Sequence, residues 1–329
     1  MKSILNHLSA FKTLTQEQAH DVLFNIAHEQ YNKSQVAAFL GCYTMRPATV
    51  EELIGFQKAL LECCTRIDLS EFNCIDLVGT GGDCKNTFNI STLSAFVLAG
   101  AGLKVSKHGN YGVSSGCGSS NVLESLGYKF TAEQDVLKRQ IDKTGICFLH
   151  APLFNVAMKV AAPFRKELGI KTFFNILGPL VNPSFPKNQM SGVFNLETLR
   201  LYNYLFQKSG KRYCVIHSLD GYDEISLTGG CKIITNEEEI VLYPEDMGFK
   251  TVFPKDIENG ATVEDAKNVF LSIISGEGTE AQRSVVLANS AWAIKTVRHD
   301  ISFEDAKQLA IDSLDGKKAL GVLKALIDM

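Results

Sequence analysis

A glycine-rich turn between an apolar strand and an apolar helix constrains the fold of this chain more than any other feature. Residues 74–78 read CIDLV, which is typical of a short buried strand, and residues 91–102 read STLSAFVLAGAG, which has helical length and apolar content. Between them, Gly79, Gly81 and Gly82 allow backbone angles that a Cβ would forbid. Backbone amides and a helix N-terminus can therefore meet at one point. This predicts a phosphate site, although the glycines alone fit an ordinary strand-turn-helix connection equally well.

Asp83 narrows the kind of phosphate that this turn would hold. A carboxylate beside phosphate oxygens is unfavourable unless a metal ion or a sugar hydroxyl lies between them. Asp83 therefore indicates a phosphosugar or a metal-bound phosphate. The turn matches neither the GxxxxGK pattern of P-loops nor the GxGxxG pattern of dinucleotide-binding proteins.

A second polar block, KHGNYGVSSGCG at residues 107–118, follows the strand-like LKVS. Ligands of open α/β sheets bind at the carboxyl ends of strands, so Lys107, His108 and Asn110 are expected in the same crevice as the first turn. Lys107 would offer a point charge to phosphate, whereas His108 by itself could equally be a structural histidine. Further hydrogen-bond donors before the next helix are Ser114, Ser115 and Ser119.

Three longer blocks occur in a fixed order: GTGGDCKNTFNIST at 79–92, KHGN at 107–110 and APFRKELGIKTFFNILGPLVNP at 162–183. Together they resemble the anthranilate phosphoribosyltransferase family, and the resemblance covers nearly the whole chain, including DGYDEIS at 220–226. It implies transfer of the phosphoribosyl group of 5-phosphoribosyl-1-pyrophosphate (PRPP) to the amino nitrogen of anthranilate. Pyrophosphate is released, and the reaction is the second step of tryptophan biosynthesis from chorismate.

The resemblance also implies roles for individual residues. It assigns PRPP binding to Gly79, Gly82, Asp83, Thr87, Asn89, Ile90, Ser91, Thr92, Lys107, His108, Gly109, Asn110, Ser115 and Ser119. It places Arg165 against the anthranilate carboxylate, with Gly79 and Asn110 as further anthranilate-binding residues. The planar fork of a guanidinium suits a carboxylate, although Arg165 considered alone could be a surface arginine of a basic helix.

Magnesium is the cofactor that the resemblance implies, with two ions per subunit. The implied ligands are Ser91, Asp223 and Glu224, and hard oxygen ligands are those that Mg²⁺ prefers. Adjacent acids in a loop are otherwise usually solvated charge. The amine of anthranilate is already neutral and nucleophilic at pH 7, so positioning could supply much of the rate, and we assign no residue as general base.

Three positions depart from the pattern common in the family. Tyr111 stands where an arginine commonly follows KHGN, Asn121 where an aspartate is common, and Asn155 where a histidine commonly precedes the AMK stretch. The Tyr111 hydroxyl can still donate one hydrogen bond, so we expect altered contacts near the donor site and retained activity. Asn155 would remove any aromatic contact between that position and anthranilate without affecting the donor site.

Charge and cysteine content bound the function classes. The 329 residues include 33 basic and 36 acidic side chains, a net charge of −3, which argues against the basic stripe of a nucleic-acid-binding protein. Nine cysteines without a CxxC pair indicate reduced thiols in the cytoplasm. No apolar run reaches the length of a membrane span, and the first residues lack the apolar core of an export signal. We therefore expect small-molecule substrates and neither nucleic acid nor membrane as a partner.

The expected fold class is α/β, with a small helical domain and a larger domain that has a mostly parallel central sheet flanked by helices. From residue 74 onward, short apolar or β-branched runs alternate with helical periods. The predicted helical domain covers 1–70 and, as the family implies, is joined by roughly 157–188. The PRPP-binding α/β domain covers 71–329.

Individual helices are also predicted. Helix starts are expected at Thr15, Ser34 and Thr49, a helix over 157–177, and three helices over 262–329. The second of these three carries Trp292, which is expected in the core. The family implies a homodimer joined through the helical domain. The apolar side chains of the first helices fit that interface and packing within one chain equally well, and they are Leu23, Phe24, Ile26, Val36, Phe39 and Leu40.

Two other functions remain open from the residues. A pyrimidine-type nucleoside phosphorylase has a similar fold and also handles ribose, phosphate and an aromatic ring, but it typically carries a further C-terminal domain. A nucleic-acid-binding relative that had lost the reaction would need a basic stripe, which the balanced charge does not provide. A purely structural role would leave the phosphate, metal and carboxylate partners unexplained.

Overall fold

The computed structural model describes residues 1–112, 117–169 and 172–329, apart from the side chains of Val156, Arg165 and Lys166. The chain divides into two compact units. The helical unit consists of Met1–Ile67 and Ala151–Pro183, and the sheet unit consists of Asp68–His150 and Ser184–Met329. The domain boundaries expected from the sequence, at 70, 157 and 188, stay a prediction, and the compact units divide within a few residues of them.

The secondary structure elements follow in chain order. The helices are α1 (Lys2–Ser9), α2 (Gln16–Ala27), α3 (Lys33–Met45), α4 (Val50–Glu62), α5 (Ile90–Gly100), α6 (Ser119–Ser125), α7 (Gln134–Thr144), α8 (Ala151–Phe154), α9 (Val156–Leu168), α10 (Leu196–Gln207), α11 (Val263–Ile274), α12 (Glu280–Val297), α13 (Phe303–Leu314) and α14 (Lys318–Ile327). The strands are β1 (Cys74–Gly79), β2 (Lys104–Gly109), β3 (Ile146–His150), β4 (Asn188–Gly192), β5 (Arg212–Ser218), β6 (Cys231–Thr235) and β7 (Glu239–Leu242). Short 3-10 turns cover Phe173–Ile176, Gly178–Leu180, Pro244–Met247 and Pro254–Ile257.

Side-chain caps begin helices α2, α3 and α4. Thr15 and Thr49 form capping boxes with Gln18 and Glu52, so both predicted starts are confirmed. The predicted start of α3 at Ser34 is wrong, because the Asn32 side chain accepts the bond from the amide of the residue at position 35. Capping satisfies backbone N–H groups that have no partner inside the helix, and loss of such a cap typically costs about 1 kcal/mol.

The core of the helical unit uses the apolar faces of these helices. All but one of the side chains offered above for a dimer interface are at most 3% exposed, and these are Leu23, Ile26, Val36, Phe39 and Leu40. These five side chains pack within one chain and are therefore not available to a partner. The charged Glu52 is also buried, and it is satisfied by Tyr43 at 2.9 Å and Arg46 at 2.6 Å.

The sheet has the order β3-β2-β1-β4-β5-β6-β7. Strands β1 to β5 pair in parallel, and β6 and β7 are antiparallel additions at one edge. Helix α5 packs on β1, β2 and β3, and α12 packs on β1, β4 and β5, which buries both helices in the core. The predicted fold class is thus confirmed. The strand order reverses between β1 and β4, and a crevice for ligands forms at such a reversal, beyond the carboxyl ends of the strands.

Two helix predictions are wrong in part. Four helices, α11 to α14, occupy the region where three were expected, because Lys317 adopts a left-handed backbone (φ 57°) and separates the last two. The helix expected over 157–177 ends at Leu168, and a 3-10 turn follows at Phe173. Trp292 lies in α12 and is 2% exposed, so its core position is confirmed. Among the described helices, none combines the length and apolar character needed to cross a bilayer.

Candidate active site

The first loop, residues 79–89, connects β1 to α5 at the strand reversal. Gly81 and Gly82 adopt positive φ angles of 64° and 74°, a conformation that disfavours other residues, so the glycine pattern has its physical cause here. The Gly81 amide donates to Asp223 Oδ2 at 2.6 Å. The loop therefore bonds to residues that are far away in sequence.

Two buried oxygens of the first loop have no hydrogen-bond partner among the described residues: Thr80 Oγ1 and Asn89 Oδ1. Asn89 precedes α5 but makes no capping bond, and its Nδ2 donates to the Cys117 carbonyl at 3.3 Å. An unpaired buried polar atom costs about 1–3 kcal/mol. Such atoms at the end of a strand mark a place where a bound polar group can complete the hydrogen bonding.

The first turn of α5 faces both the loop and the core. Ile90 and Thr92 are 1% exposed, and the Ile90 amide already donates to the Phe88 carbonyl at 2.7 Å. Ser91 lies between them and accepts a hydrogen bond from Lys107 Nζ at 3.3 Å. Of these three predicted donor-binding residues, Ser91 is therefore the one whose side chain faces the other polar groups of the site.

The side chain of Lys107 extends from β2 and bonds to residues of β1 and α5 in the interior of the sheet unit. Its side chain is 2% exposed and also donates to the Leu77 carbonyl at 2.5 Å. Burial lowers the pKa of Lys107, while the nearby carboxylates of Asp76 and Glu224 oppose that change. The ammonium thus lies beside the proposed metal ligands, where it can offset negative charge.

His108 is the next residue of β2, so its side chain lies on the opposite face of the sheet from that of Lys107. It is 4% exposed, and its backbone amide donates to Asp76 Oδ1 at 3.0 Å. Burial, with smaller contributions from Lys107 and His150, lowers the pKa of His108 to about 4. The ring is therefore uncharged at neutral pH and adds no positive charge to a phosphate site.

Asp223 belongs to the acid loop, residues 218–228, which follows β5. It is 7% exposed, and glycines at the paired ends of two strands make room for it. A Cβ on Gly79 would lie 2.3 Å from Asp223 Oδ2, and one on Gly192 would lie 1.5 Å from the Asp223 carbonyl oxygen. At Gly192 the added atom would meet backbone, so only glycine fits there, whereas at Gly79 the side chain of Asp223 would have to move. Gly192 was not predicted as a site residue, because its contact with Asp223 joins residues that are far apart in the sequence.

The two acids carry perturbed pKa values. Burial raises the pKa of Asp223, and the neighbouring carboxylates of Glu224 and Asp83 raise it further. Burial also raises the pKa of Glu224, against the opposing effects of Lys107 and of a hydrogen bond from Ser91. The structure thus brings the predicted metal-ligand residues Ser91, Asp223 and Glu224 together in one unit.

Hydrogen bonds among hydroxyl groups and the backbone hold the acid loop in place. Ser218 Oγ donates to the Glu224 carbonyl at 2.7 Å, and Ser226 Oγ donates to Ser218 Oγ at 3.2 Å. Thr228 Oγ1 extends this series of hydrogen bonds to Ser226 Oγ at 2.7 Å and to Asp220 Oδ2. A helix residue, Asn289, bonds the backbone just after the acids, and sequence reasoning missed it because its contacts are distant in the chain.

The second loop, residues 109–118, is held at its two ends. Asn121 Oδ1 accepts from the Gly112 amide at 3.0 Å and from the Gly118 amide at 2.9 Å. The Asn110 carbonyl accepts from the Ser120 amide at 3.2 Å and from Ser119 Oγ at 3.4 Å. A Cβ on Gly109 would lie 2.3 Å from Ser119 Oγ. Ser114 and Ser115 lie outside the described residues.

Two of the three departures from the family pattern, Tyr111 and Asn155, lie in different units of the structure. Tyr111 is 40% exposed, donates to Glu124 at 2.8 Å, and packs edge-on against His150 with ring centres 4.7 Å apart. The expectation that its hydroxyl still donates one bond is confirmed. Asn155 is buried in the helical unit, between α8 and α9. Arg165 belongs to α9 of the same unit, and its side chain is not among those described.

Thr87, another predicted PRPP-binding residue, lies in the first loop. Its backbone pairs with that of residue 258 through an isolated β-bridge.

The two units correspond to two domain types of one enzyme class. Residues 2–64 match the helical bundle domain of the glycosyl transferase family, and residues 71–320 match the a/b domain of that family. Because the second match alone covers more than half of the chain, the chain belongs to this glycosyl transferase family.

Full-length relatives narrow the class. The chain is 56% identical to the anthranilate phosphoribosyltransferase of Flavobacterium psychrophilum over 326 residues, which cover 99% of this chain and 98% of that protein. It is 55% identical to the corresponding enzyme of Flavobacterium johnsoniae over 329 residues, which cover 100% of this chain and 99% of that protein. The chain therefore belongs to the anthranilate phosphoribosyltransferase family, and the predicted family and enzyme class are confirmed.

Solved structures agree with this assignment. The anthranilate phosphoribosyltransferase of Thermus thermophilus superposes with a TM-score of 0.92 at 29% identity, with 98% of each chain covered. The Saccharomyces cerevisiae enzyme in complex with PRPP and Mg superposes with a TM-score of 0.92 at 26% identity, with 99% of this chain and 96% of that chain covered.

Proposed function

We propose that this protein transfers the phosphoribosyl group of PRPP to the amino group of anthranilate. The products are N-(5-phosphoribosyl)anthranilate and pyrophosphate, in the second step of tryptophan biosynthesis from chorismate. One observation supports the proposal: in this family member, the first loop, Lys107 and the two acids lie close to one another at the strand reversal of the sheet.

PRPP is the ligand that best matches the polar groups of the sheet unit. Phosphate groups suit the amides of a glycine-rich loop before a helix N-terminus, and ribose hydroxyls suit buried acceptors. Asn89 Oδ1 and Thr80 Oγ1 are such oxygens without partners among the described residues. The proposed donor-binding set is the one derived from the sequence, with Thr80 added and with the side chains of Ile90 and Thr92 directed to the interior.

Mg²⁺ fits the acid loop only together with a bound substrate. Among the described residues, no three His, Cys, Asp or Glu side chains converge into a metal site of their own. Two carboxylates and a hydroxyl, from Asp223, Glu224 and Ser91, are nonetheless the oxygen donors with which Mg²⁺ is usually held beside substrate phosphates. Burial raises the pKa values of Asp223 and Glu224, and a divalent cation beside them would favour the ionised carboxylates. Two ions per subunit are part of the proposal.

The reaction needs charge compensation more than proton transfer. The bond between the ribose anomeric carbon and a pyrophosphate oxygen breaks, and a bond to the amine nitrogen forms. When bound, the metal neutralises the charge that develops on the departing pyrophosphate. A protonated Lys107 adds positive charge beside Ser91, where its side chain is 2% exposed and electrostatic interactions are strong. An arylamine enters with a free lone pair, so positioning replaces a general base.

Anthranilate binding is assigned to Arg165, with Gly79 and Asn110 in support. A guanidinium presents paired donors to a carboxylate and stays charged at every working pH. Asn110 is exposed at the end of β2, where its side chain is accessible.

A cytoplasmic homodimer is the proposed state of the protein. All nine cysteines are free, which suits a reducing compartment. The dimer is proposed through the helical unit, where Phe11 and Met45 are 72% and 76% exposed. Light scattering coupled to size exclusion distinguishes a dimer from a monomer.

The decisive experiment follows the fluorescence of anthranilate when PRPP and Mg²⁺ are added to the purified protein. Loss of fluorescence that requires both additions supports the proposed transfer. Controls omit the metal or replace PRPP and anthranilate with phosphate and thymidine. Cleavage of thymidine without loss of anthranilate would replace the proposal with a nucleoside phosphorylase.

A further inference from the structure

Asn289 holds the backbone that follows the two acids. It lies in the middle of α12 and is 1% exposed. Its Oδ1 accepts from the Ile225 amide at 3.1 Å, and its Nδ2 donates to the Ile225 carbonyl at 2.8 Å. Nδ2 donates in addition to the Val285 carbonyl at 2.8 Å. Because a backbone N–H can only donate and a carbonyl can only accept, these partners fix the orientation of the side-chain amide.

These bonds join the acid loop to the interior of the sheet unit. Ile225 directly follows Glu224, so holding both of its backbone groups sets the direction in which the chain leaves the acids. The Glu224 carbonyl, which belongs to the same peptide unit as the Ile225 amide, accepts a hydrogen bond from Ser218 Oγ. Asn289 also lines a small cavity together with Glu224 and Ser91, which brings α12 to the edge of the proposed metal site.

The acids need such support because two carboxylates at adjacent positions repel one another when both are ionised. Asp223 directly precedes Glu224 and is 7% exposed, so little water screens a negative charge there. A flexible loop would let the carboxylates separate in the metal-free protein. Helix α12 is a rigid partner, since Leu287, Ala288 and Ala291 beside Asn289 are all 0% exposed.

We propose that Asn289 is a positioning residue that, through Ile225, holds Asp223 and Glu224 in the arrangement that binds Mg²⁺ together with PRPP. The inference rests on the proposed function. Partners that orient metal ligands typically contribute 10–100-fold to metal affinity. Loss of the Asn289 bonds therefore raises the metal concentration that the protein requires and leaves the KM for anthranilate nearly unchanged.

The test replaces Asn289 with leucine, whose side chain has the same branched skeleton, somewhat larger terminal groups and no hydrogen-bonding group. The first measurement is the Mg²⁺ concentration for half-maximal loss of anthranilate fluorescence. The second needs no turnover: Mn²⁺ binding in the presence of PRPP, followed by the electron paramagnetic resonance signal of free Mn²⁺. Both constants should rise about 10- to 100-fold in Asn289→Leu.

Two controls lie on the same helix. Ser290 is 0% exposed, and its Oγ has no hydrogen-bond partner among the described residues, so Ser290→Ala should leave both constants unchanged. Ile294→Ala removes buried volume from α12 but leaves the hydrogen bonds between Asn289 and Ile225 in place, so it lowers the melting temperature through packing. If Asn289→Leu does not fold, Asn289→Ser retains a small polar group that is too short to bond both backbone groups of Ile225.

The outcomes separate the inference from the proposed function. Mn²⁺ affinity in Asn289→Leu equal to that of the wild type would overturn the inference, as would an equal loss in Ile294→Ala. Absence of Mn²⁺ binding by the wild-type protein with PRPP would also overturn it. If the wild type binds Mn²⁺ in an Asn289-dependent way but consumes no anthranilate, the role of Asn289 stands and the proposed reaction fails.

Discussion

Gly192 lies against the backbone of Asp223, so closely that a Cβ on the glycine would be 1.5 Å from the aspartate carbonyl oxygen. Gly192 ends β4, and its register partner Gly79 ends β1 and lies against the carboxylate of the same aspartate. Two glycines on neighbouring strands therefore determine how close the acid loop comes to the sheet.

Gly192→Ala should displace the acid loop and abolish metal-dependent activity. The added methyl would meet backbone, which cannot rotate away as a side-chain end can, so the chain must shift. We expect a loss of about 3 kcal/mol in the free energy of unfolding, at the upper end of overpacking effects. Urea unfolding and the fluorescence assay measure the two effects. Gly321→Ala is the control, because a Cβ there meets no atom within 4 Å inside α14, and wild-type behaviour of Gly192→Ala would contradict the steric argument.

Replacing both acids, Asp223→Asn with Glu224→Gln, should remove Mg²⁺-dependent turnover and keep the fold. Amides preserve shape but bind a hard cation poorly, so the loss should exceed the roughly 10- to 100-fold typical of outer partners. Activity against Mg²⁺ concentration measures it. The matched control neutralises two adjacent exposed acids, Glu237→Gln with Glu238→Gln. Equal activity of the two double variants would remove the acid loop from the mechanism.

The same acids predict how stability depends on pH without metal. Burial raises the pKa of Asp223 and Glu224, so the folded protein retains protons that the unfolded chain releases. The free energy of unfolding therefore falls as pH rises through the raised pKa values. Burial lowers the pKa of His108 to about 4, which gives the opposite slope, but only below its ordinary value of 6.5.

The effect of the two acids on stability is best measured between pH 6.5 and about 8. Below pH 6.5 the titration of His108 contributes, and above about 8, the value to which burial lowers the pKa of Lys211, the titration of that lysine contributes. Over that range the Asp223→Asn, Glu224→Gln variant should gain about 1 kcal/mol of unfolding free energy relative to the wild type, because its amides do not titrate. Thermal melting of both metal-free proteins measures the difference. A difference that shrinks as pH rises would contradict the assigned direction of the pKa shifts.

Local chemistry indicated the first loop and Lys107 from the sequence, whereas the resemblance to the family indicated the two acids. The first loop and the acids follow strands β1 and β5, Lys107 lies in the carboxyl half of β2, and parallel strands have their carboxyl ends at one edge of the sheet. Gly192 and Asn289 could not be found in this way. Their roles arise from contacts with Asp223 and Ile225, and Asn289 is 64 residues from Ile225 in sequence.

Similar limits explain the errors in the helices. Asn32 and Ser34 are both good capping residues, and the chain alone does not say which one precedes the first helical turn. The separation of α13 from α14 depends on a left-handed lysine, Lys317, where a glycine would have been the usual signal.

Arg165→Ala should raise the KM for anthranilate and leave the KM for PRPP nearly unchanged. Loss of charge-assisted bonds to a carboxylate costs about 1.5–3 kcal/mol, or roughly 10- to 100-fold. Initial rates at varied concentrations of each substrate separate the two constants. Arg298→Ala serves as the control, since that arginine is half exposed and pairs with Asp300 at 3.5 Å. A selective rise in the KM for PRPP would reassign Arg165 to the donor.

Asn121 tests how this chain tolerates a departure from its family. Its Oδ1 accepts from the Gly112 and Gly118 amides, so Asn121→Ala should loosen the second loop and raise the KM for PRPP about tenfold, as expected for loss of a cap worth about 1 kcal/mol or slightly more. Asn121→Asp, the residue common in the family, keeps an acceptor oxygen at the same place and should retain the wild-type KM. Initial rates at varied PRPP measure both variants. Equal KM values for the alanine and aspartate variants would mean that the two amide bonds do not hold the loop for PRPP.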